Sequence, residues 1–340
     1  FLNIFYSCKI KLMISKEDQI MMETLYWWGI PTLFRCKNDS DPKNCDIALV
    51  GVPHSTGNGT TERDQHLGPR AVRNISAMLR RSHLQYGIDP WKLNKIHDLG
   101  DVPFPEANNN EKCIERISDF YDHIEKAEKP VVSIGGDHSI TGGIVQSLAK
   151  KNSKLTKGKK ITLVHFDAHT DCYEKLDHFL GAKKSAAHWA SYLVKQGNVD
   201  PKTSTQIGIR GNPRTLDWLQ ASYDIGYQVI TMDEYKELGH EKCSQMILDR
   251  LGENPIYITF DLDCLDTTVA PGTANLEPAF RGFNMDEARK LIQSLKGKNV
   301  IGGDVACLMP TKDNPNNITS MVAASIMFEI ICLICINLKK

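Results

Sequence analysis

Seven short apolar runs, separated by longer helical patterns, constrain the fold of this chain most strongly. The runs cover residues 47–53, 131–135, 161–167, 206–210, 227–231, 256–261 and 299–304. They are nearly continuous in Val, Ile, Leu and Phe, which is typical of strands buried on both faces of a parallel sheet. Helical patterns fill the gaps, for example over residues 110–127, 233–251 and 286–294. This alternation predicts an α/β fold, a three-layer α-β-α sandwich with a central, mostly parallel sheet.

The domain organisation follows from length and from the absence of clear linkers. The 340 residues suit one large α/β domain or two small ones. We find no internal repeat and no convincing linker, so we predict an N-terminal extension with a helix over residues 1–44 and a single domain over residues 45–340. The apolar run 318–338 has Glu329 in its middle, which favours a buried terminal helix over a membrane anchor.

The charge and the cysteine content limit the classes of binding partner and the cellular compartment that we expect for this chain. Basic and acidic residues number 41 each, so the formal net charge is zero. This removes the basic excess from which nucleic-acid or anionic-membrane binding is usually argued. The ten cysteines are scattered, without the spacing of a small disulfide scaffold. We therefore expect reduced thiols, a cytoplasmic location and neither a nucleic-acid nor a membrane partner.

Histidines and aspartates stand at the ends of three predicted strands. They are His138 after the second run, Asp167, His169 and Asp171 at the end of the third, and Asp261 and Asp263 at the end of the sixth. Ligands of open parallel sheets bind beyond the carboxyl ends of the strands. Residues i, i+2 and i+4 of an extended backbone also share one face. We therefore predict that these four carboxylates and two imidazoles meet at one edge of the sheet.

Such a cluster needs cations. Ionised carboxylates a few ångströms apart raise one another's pKa, and a buried charge without a partner is costly. Two divalent ions would neutralise four aspartates, and a carboxylate-rich set with two imidazoles suits Mn²⁺ better than a thiolate-rich zinc site does. Two ions about 3.5–4 Å apart can share one water and lower its pKa towards 7, which produces a hydroxide nucleophile. The six residues therefore predict a dinuclear metal site.

The same stretches resemble the ureohydrolase family of arginases, agmatinases and formiminoglutamases. The matching segments are GGDHS at 135–139, DAHTD at 167–171 and FDLDCLD at 260–266, and the resemblance covers roughly residues 45–336. It implies a dinuclear manganese hydrolase on a three-layer fold with a central parallel sheet of about eight strands. The predicted domain over residues 45–340 would then be the catalytic domain, and a trimer or hexamer is the expected assembly.

The resemblance also implies roles for single residues. The six residues would divide between two ions, with Ni²⁺ as the alternative to Mn²⁺, and Asp171 would also touch the bridging hydroxide. His188 matches a family histidine that is thought to shuttle protons. The predicted catalytic residues are therefore Asp171 and His188.

One departure from the family concerns the substrate. Relatives that cleave guanidinium side chains carry a glutamate three residues after the aspartate of the final strand, whereas this chain has Cys307 three residues after Asp304. A thiol cannot offer the bidentate, charge-assisted hydrogen bonds that a planar guanidinium takes. Residues 185–190 lack the His-Gly-Thr sequence of many agmatinases. Three stretches, 57–64, 181–189 and 307–313, look closer to an agmatinase-like subgroup, some of whose members are reported to hydrolyse free guanidine with nickel.

The expected reaction is hydrolysis of a guanidino carbon–nitrogen bond to urea plus an amine or ammonia. The small substrate stays open between agmatine-like amines, free guanidine and formiminoglutamate, with arginine less favoured. A non-catalytic homologue is a second hypothesis, because Cys307 replaces the glutamate. A deacetylase-like enzyme with a single zinc ion is the third.

Overall fold

One sheet of nine parallel strands forms the centre of the fold. The computed structural model describes residues 25–58, 63–173, 181–213, 215–277 and 281–339. The strands are β1 (Lys37–Asn38), β2 (Ile47–Val52), β3 (Ile96–Asp101), β4 (Val131–Gly135), β5 (Thr162–Phe166), β6 (Thr205–Ile209), β7 (Gln228–Thr231), β8 (Ile256–Asp261) and β9 (Val300–Ala306). Their order across the sheet is β1-β3-β2-β4-β9-β8-β5-β6-β7. Every pairing is parallel.

Helices connect the strands. They are α1 (Gly68–Ser76), α2 (Pro90–Leu93), α3 (Asn110–Lys126), α4 (Ile140–Leu148), α5 (Trp189–Lys195), α6 (Gln220–Ile225), α7 (Met232–Leu238), α8 (His240–Arg250), α9 (Met285–Ser294) and α10 (Ile318–Leu338). The pattern over 233–251 predicts one helix, but the structure has two. Gly239 separates them with a φ of +82°, a conformation that glycine adopts at little cost.

All seven predicted strands are present, and the sequence missed two others. Strand β3 was missed because its sequence, IHDLGD, is polar and lacks the continuous apolar pattern of the predicted strands. Strand β1 was missed because it is only two residues long. The sheet therefore has nine strands where the resemblance implied about eight.

Both faces of the sheet are buried, which confirms the three-layer arrangement. In β2, Ala48 and Val50 pack in one core cluster with side chains of α3 and α4. Ile47 and Leu49, which alternate with them, pack in the other cluster with side chains of α1 and α10. Alternate residues of one apolar strand thus contact opposite helix layers.

The C-terminal helix α10 belongs to the second of these clusters. It is the one helix of the described residues that is long and apolar enough to cross a membrane. Most of its residues are buried against the rest of the chain. Glu329 lies on the buried side, where His83 Nε2 is 3.0 Å from its Oε1. The prediction of a buried terminal helix agrees with this packing.

The described part of the N-terminal extension joins the same fold. Strand β1 pairs with β3, and Leu33 and Phe34 are buried in a core cluster. Residues 25–44 contain 3-10 turns and no α-helix, and residues 1–24 lie outside the described part. The division at residue 44 stays a prediction. All nine cysteines among the described residues are buried and free, in agreement with reduced thiols.

The strand order explains how distant residues meet. Strands β8 and β9, the last two in the chain, lie between β4 and β5. Segments that follow β4, β5 and β8 therefore lie side by side at the centre of the carboxyl edge, where ligands of parallel sheets bind.

Candidate metal centre

The first group of converging side chains surrounds His138. Its Nδ1 lies 2.8 Å from Asp167 Oδ2, 3.1 Å from Asp171 Oδ2 and 3.2 Å from Asp261 Oδ2. All four residues are buried. We call them the His138 group.

The second group surrounds His169 and shares Asp167. His169 Nδ1 lies 3.3 Å from Asp167 Oδ1 and 3.2 Å from Asp263 Oδ2. Each oxygen of Asp167 thus faces a different imidazole. We call Asp167, His169 and Asp263 the His169 group. Their ligand atoms lie within 4.8 Å of one another, and the His169 side chain is 24% exposed, so this side of the site reaches solvent.

The outer nitrogen of each imidazole has its own hydrogen-bond partner. Thr259 Oγ1 donates to Asp304, 2.8 Å away, so it must accept from His138 Nε2, also at 2.8 Å. His169 Nε2 lies 2.8 Å from Glu277 Oε1, a carboxylate oxygen that can only accept when ionised. Both imidazoles therefore carry their proton on Nε2. Nδ1 of each imidazole is therefore the nitrogen that faces the carboxylates, and it can bind a cation once its own proton is displaced, as in metal-binding histidines.

Two of the buried side-chain atoms that lack a hydrogen-bond partner in the described residues belong to this cluster. They are His138 Nδ1 and Asp263 Oδ2. Native structures leave few buried polar atoms unpaired, and an ion is one explanation for those that remain. The donor set of imidazole nitrogens and carboxylate oxygens fits divalent cations such as Mn²⁺ or Ni²⁺.

Without cations the cluster has strongly perturbed pKa values. Burial, followed by the charge of Asp261, raises the pKa of Asp263 well above its usual range. Burial opposes protonation of His138, but the surrounding carboxylates outweigh it and raise its pKa well above its usual range. The pKa of His169 is raised in the same way, chiefly by the charge of Asp263 against the effect of burial. The protein thus gathers negative charge that histidine protons neutralise when no metal is bound.

We expect metal binding to release protons. Since the pKa values of His138 and His169 are raised, both hold a proton at neutral pH in the metal-free chain, and a cation must displace it. The affinity for Mn²⁺ should therefore rise with increasing pH and fall with decreasing pH, and binding near pH 7 should release a measurable number of protons. Titration calorimetry in two buffers of different ionisation enthalpy measures this number. Binding without proton release would contradict the assignment of these histidines.

Local turns place the ligands. Strand β5 ends at Phe166, and residues 262–264 form a 3-10 turn. The backbone beyond the strands is therefore not extended, and alternation along an extended chain was the wrong reason for the predicted convergence. Backbone N–H groups instead bond to the aspartates: His169 N donates to Asp167 Oδ1 at 2.7 Å. Asp171 has a left-handed φ of +51°, which aspartate tolerates better than most residues.

The turn before His138 depends on a glycine and an aspartate. Gly136 has a φ of +55°, and a Cβ there would lie 2.5 Å from Val52 O. Asp137 Oδ2 accepts from Gly57 N at 2.8 Å. Asp137 therefore fixes the neighbouring loop, and His138 is the residue of this motif that enters the cluster.

The structure brings all six predicted metal ligands together, while their roles stay a prediction. His188 precedes α5, is partly exposed, and has Nδ1 2.7 Å from Ser185 Oγ. Cys307 follows β9 with a φ of +68° and is 3% exposed. Burial, followed by the charge of Asp261, raises the pKa of its thiol.

Sequence reasoning missed four residues that hold the ligands. His165 Nε2 lies 2.8 Å from Asp167 Oδ2, and Gln206 Nε2 lies 3.2 Å from its Nδ1. A ligand atom of His165 also lies within 4.8 Å of ligand atoms of His138, Asp167 and Asp171. The others are Trp189, which bonds to Asp171, Thr259 and Glu277. His165 and Thr259 each interrupt an apolar strand two residues before a ligand, which is a usable signal.

Comparison with known proteins agrees with the motifs. Residues 45–333 match the sequence model described as Arginase family. The chain belongs to the arginase family. Guanidinopropionase of Pseudomonas aeruginosa is 33% identical over 308 residues, or 90% of this chain and 92% of that protein. The mitochondrial agmatinase of Gallus gallus is 32% identical over 307 residues, or 90% of this chain and 86% of that protein.

A solved structure shows the same fold. The proclavaminate amidino hydrolase of Streptomyces clavuligerus matches with a TM-score of 0.82 and 27% identity, over 92% of this chain and 99% of that chain. Family membership confirms the resemblance inferred from the motifs. This arginase-family chain is a hydrolase that acts on carbon–nitrogen bonds of guanidino compounds.

Proposed function

We propose that this chain uses two divalent cations to hydrolyse a guanidino carbon–nitrogen bond, giving urea plus an amine or ammonia. The observation that carries the proposal is the sharing of Asp167: one carboxylate oxygen faces His138 and the other faces His169. A single carboxylate between two imidazole-containing groups suits a pair of ions. Mn²⁺ is the proposed metal and Ni²⁺ the alternative.

When bound, two divalent cations supply Lewis acidity and a water deprotonated at neutral pH. The protein supplies orientation and proton transfer. Asp171 Oδ2 lies within the His138 group and is placed to accept a proton from the attacking water. His188 is partly exposed at the start of α5, so it can exchange protons with solvent and pass one to the leaving amine. We assign the catalytic roles to these two residues.

The proposed substrate class is defined by the guanidino group, and the rest of the substrate molecule, its tail, is not specified. Guanidinopropionase and agmatinase are named for substrates whose tails carry opposite charges, yet this chain is similarly related to both. The guanidino carbon is what these substrates share. We propose an agmatine-like amine as the first candidate.

Free guanidine is the second candidate, and Cys307 favours it. Cys307 clusters with Ala274, Ala306 and Met309. Burial and then the charges of nearby Asp261 and Asp263 raise the pKa of its thiol. A neutral thiol cannot form the charge-assisted pair that a glutamate at this position would make with a guanidinium. A substrate without a tail depends least on such a grip.

A substrate panel with defined metals tests the function. The metal-free chain is reloaded with Mn²⁺ or Ni²⁺ and given agmatine, guanidinopropionate, guanidinobutyrate, arginine or guanidine. We expect urea from at least one of them. Formamide from formiminoglutamate would instead identify a formiminoglutamase. A metal-loaded chain that turns over none of these compounds would contradict the proposal and favour a non-catalytic homologue.

Restoring a carboxylate at position 307 should change substrate preference. We expect Cys307→Glu to raise kcat/KM for agmatine by about tenfold or more, because a carboxylate there can form charge-assisted hydrogen bonds to the guanidinium. Cys307→Ser, which keeps a small donor towards Asp261, is the matched control and should change kcat/KM by less than about threefold. Steady-state kinetics on both chains, with metal content verified, check this. Unchanged kinetics in a metal-loaded Cys307→Glu chain would show that position 307 does not set the guanidinium grip.

The cytoplasmic location and the trimeric or hexameric assembly stay predictions, as does the division of the chain into an extension and one catalytic domain. Size-exclusion chromatography with light scattering tests the assembly. Its outcome is independent of the metal centre described above.

A further inference from the structure

Trp189 contacts the candidate metal centre from its buried side. It is the first residue of α5 and is 0% exposed. Its ring centroid lies 4.9 Å from the ring of His138 and 4.8 Å from the ring of His165. Its indole Nε1–H donates to Asp171 Oδ2 at 2.6 Å. One side chain thus contacts two imidazoles and one ligand carboxylate.

The Trp189 indole donates its hydrogen bond to a carboxylate, Asp171, in addition to making the apolar contacts of an ordinary core residue. A buried tryptophan needs one acceptor for its N–H, and here the acceptor is the same carboxylate oxygen that faces His138 Nδ1 at 3.1 Å. A charge-assisted bond of this kind is stronger than a neutral one. It constrains the direction of Asp171 Oδ2 as well as its position.

Asp171 needs this constraint more than the other ligands do. Asp167 accepts from His169 N, and Asp261 accepts from Asp263 N, so each is held by its own turn. Asp171 stands at a left-handed φ of +51°, beyond the end of β5. For a non-glycine residue, this conformation persists when the surroundings hold it. Within the described residues, the hydrogen bond that the Asp171 carboxylate accepts from outside the ligand cluster comes from the indole N–H of Trp189.

We propose that Trp189 is a positioning residue that holds the Asp171 carboxylate in place for the cation beside His138. The proposal rests on the proposed dinuclear site. The proposal predicts different effects on the two ions, because Asp171 belongs to the His138 group and not to the His169 group. Removing the indole N–H should weaken the ion of the His138 group and leave the ion of the His169 group unchanged.

Trp189→Phe tests this, with Trp91→Phe as the matched control. Trp91 is partly buried, whereas Trp189 is fully buried, and the Trp91 N–H donates to Cys36 Sγ at 3.0 Å, away from the centre. Equilibrium dialysis of metal-free chains against Mn²⁺ should show two sites in the parent chain. In Trp189→Phe one site should weaken by about 10- to 100-fold, as for other residues that orient metal ligands. Both sites should be unchanged in Trp91→Phe.

The difference between the two sites separates this role from simple core filling. A residue that only fills the core would weaken both Mn²⁺ sites alike when it is replaced, whereas a residue that positions Asp171 weakens only the site beside His138. Two parent-like Mn²⁺ affinities in a folded Trp189→Phe chain would overturn the proposal. Loss of both sites to the same extent would also overturn it, since that indicates a general structural role.

A second variant covers the case in which Trp189→Phe does not fold. Placing β-(3-benzothienyl)alanine at position 189 keeps the size of the ring system and removes only the N–H. The same selective loss of one Mn²⁺ site is expected, and unchanged binding of both ions would overturn the proposal. If the parent chain binds two Mn²⁺ ions but releases no urea from any substrate, the proposed function fails while the positioning role is still decided by these affinities.

Discussion

Asp167→Asn should reduce urea release by about a thousandfold or more, since it removes negative charge from the residue that both ligand groups share. Asn has nearly the same size and shape as Asp, so packing is preserved. The amide keeps one oxygen acceptor, but its NH₂ group would face either His138 or His169 at the position of a carboxylate oxygen. We expect both ions to bind weakly, as measured by elemental analysis of the dialysed chain together with the urea assay.

Asp122→Asn is the matched control for this substitution. Asp122 bonds to Ser147 and Lys150, away from the carboxyl edge of the sheet, so metal content and turnover should stay within about twofold of the parent chain. An intermediate case is Asp263→Asn, which belongs only to the His169 group and should retain the ion beside His138. An Asp167→Asn chain that keeps two ions and parent-like turnover would contradict the shared role.

Glu329→Ala should destabilise the fold by about 3 kcal/mol. Glu329 is buried on α10, and its Oε1 lies 3.0 Å from His83 Nε2. Gln293 Nε2 donates to both carboxylate oxygens at 3.1 Å. Truncation removes the Glu329 acceptor from His83 Nε2 and Gln293 Nε2, although Gln293 Nε2 keeps Gln85 Oε1 at 3.0 Å, and it opens space beneath α10. Chemical denaturation at constant metal occupancy measures the change in the free energy of unfolding.

Two controls separate the hydrogen bonds from helix propensity. Glu329→Gln keeps the length and one acceptor oxygen, so its cost should be about 1 kcal/mol. Glu237→Ala removes an exposed glutamate from α7 and should change stability by less than about 0.5 kcal/mol. A Glu329→Ala chain as stable as Glu237→Ala would show that the buried contacts to His83 and Gln293 contribute nothing.

The sequence predicted the fold class and the strands that hold the site because those strands are apolar on both faces. Strand β3 was missed for the opposite reason: its Asp98 accepts hydrogen bonds from Arg73 at 2.8 and 3.0 Å and from Leu33 N, so a polar side chain is stabilised inside the sheet. Periodicity cannot reveal such a partner. The single helix predicted over 233–251 was wrong because Gly239, at a φ of +82°, ends one helix and begins the next.

The convergence of His138, Asp167 and Asp263 was predictable because each follows a parallel strand, and parallel strands share a carboxyl edge. The residues that orient them were not. Glu277 lies 108 positions after His169, in a segment with no strand or helix pattern, and only the tertiary fold brings it to His169. Trp189 has the pattern of an ordinary core residue at the start of a helix. Its hydrogen bond to Asp171 depends on the left-handed φ of Asp171, which no sequence pattern predicts.

The position and number of bound ions test the central claim most directly. Crystals of the chain grown with Mn²⁺ would be measured at the manganese absorption edge. We predict two anomalous peaks per chain, one beside His138 Nδ1 and one beside His169 Nδ1, with Asp167 between them and a separation of about 3.5–4 Å. A single peak, or peaks away from these two nitrogens, would contradict the dinuclear account.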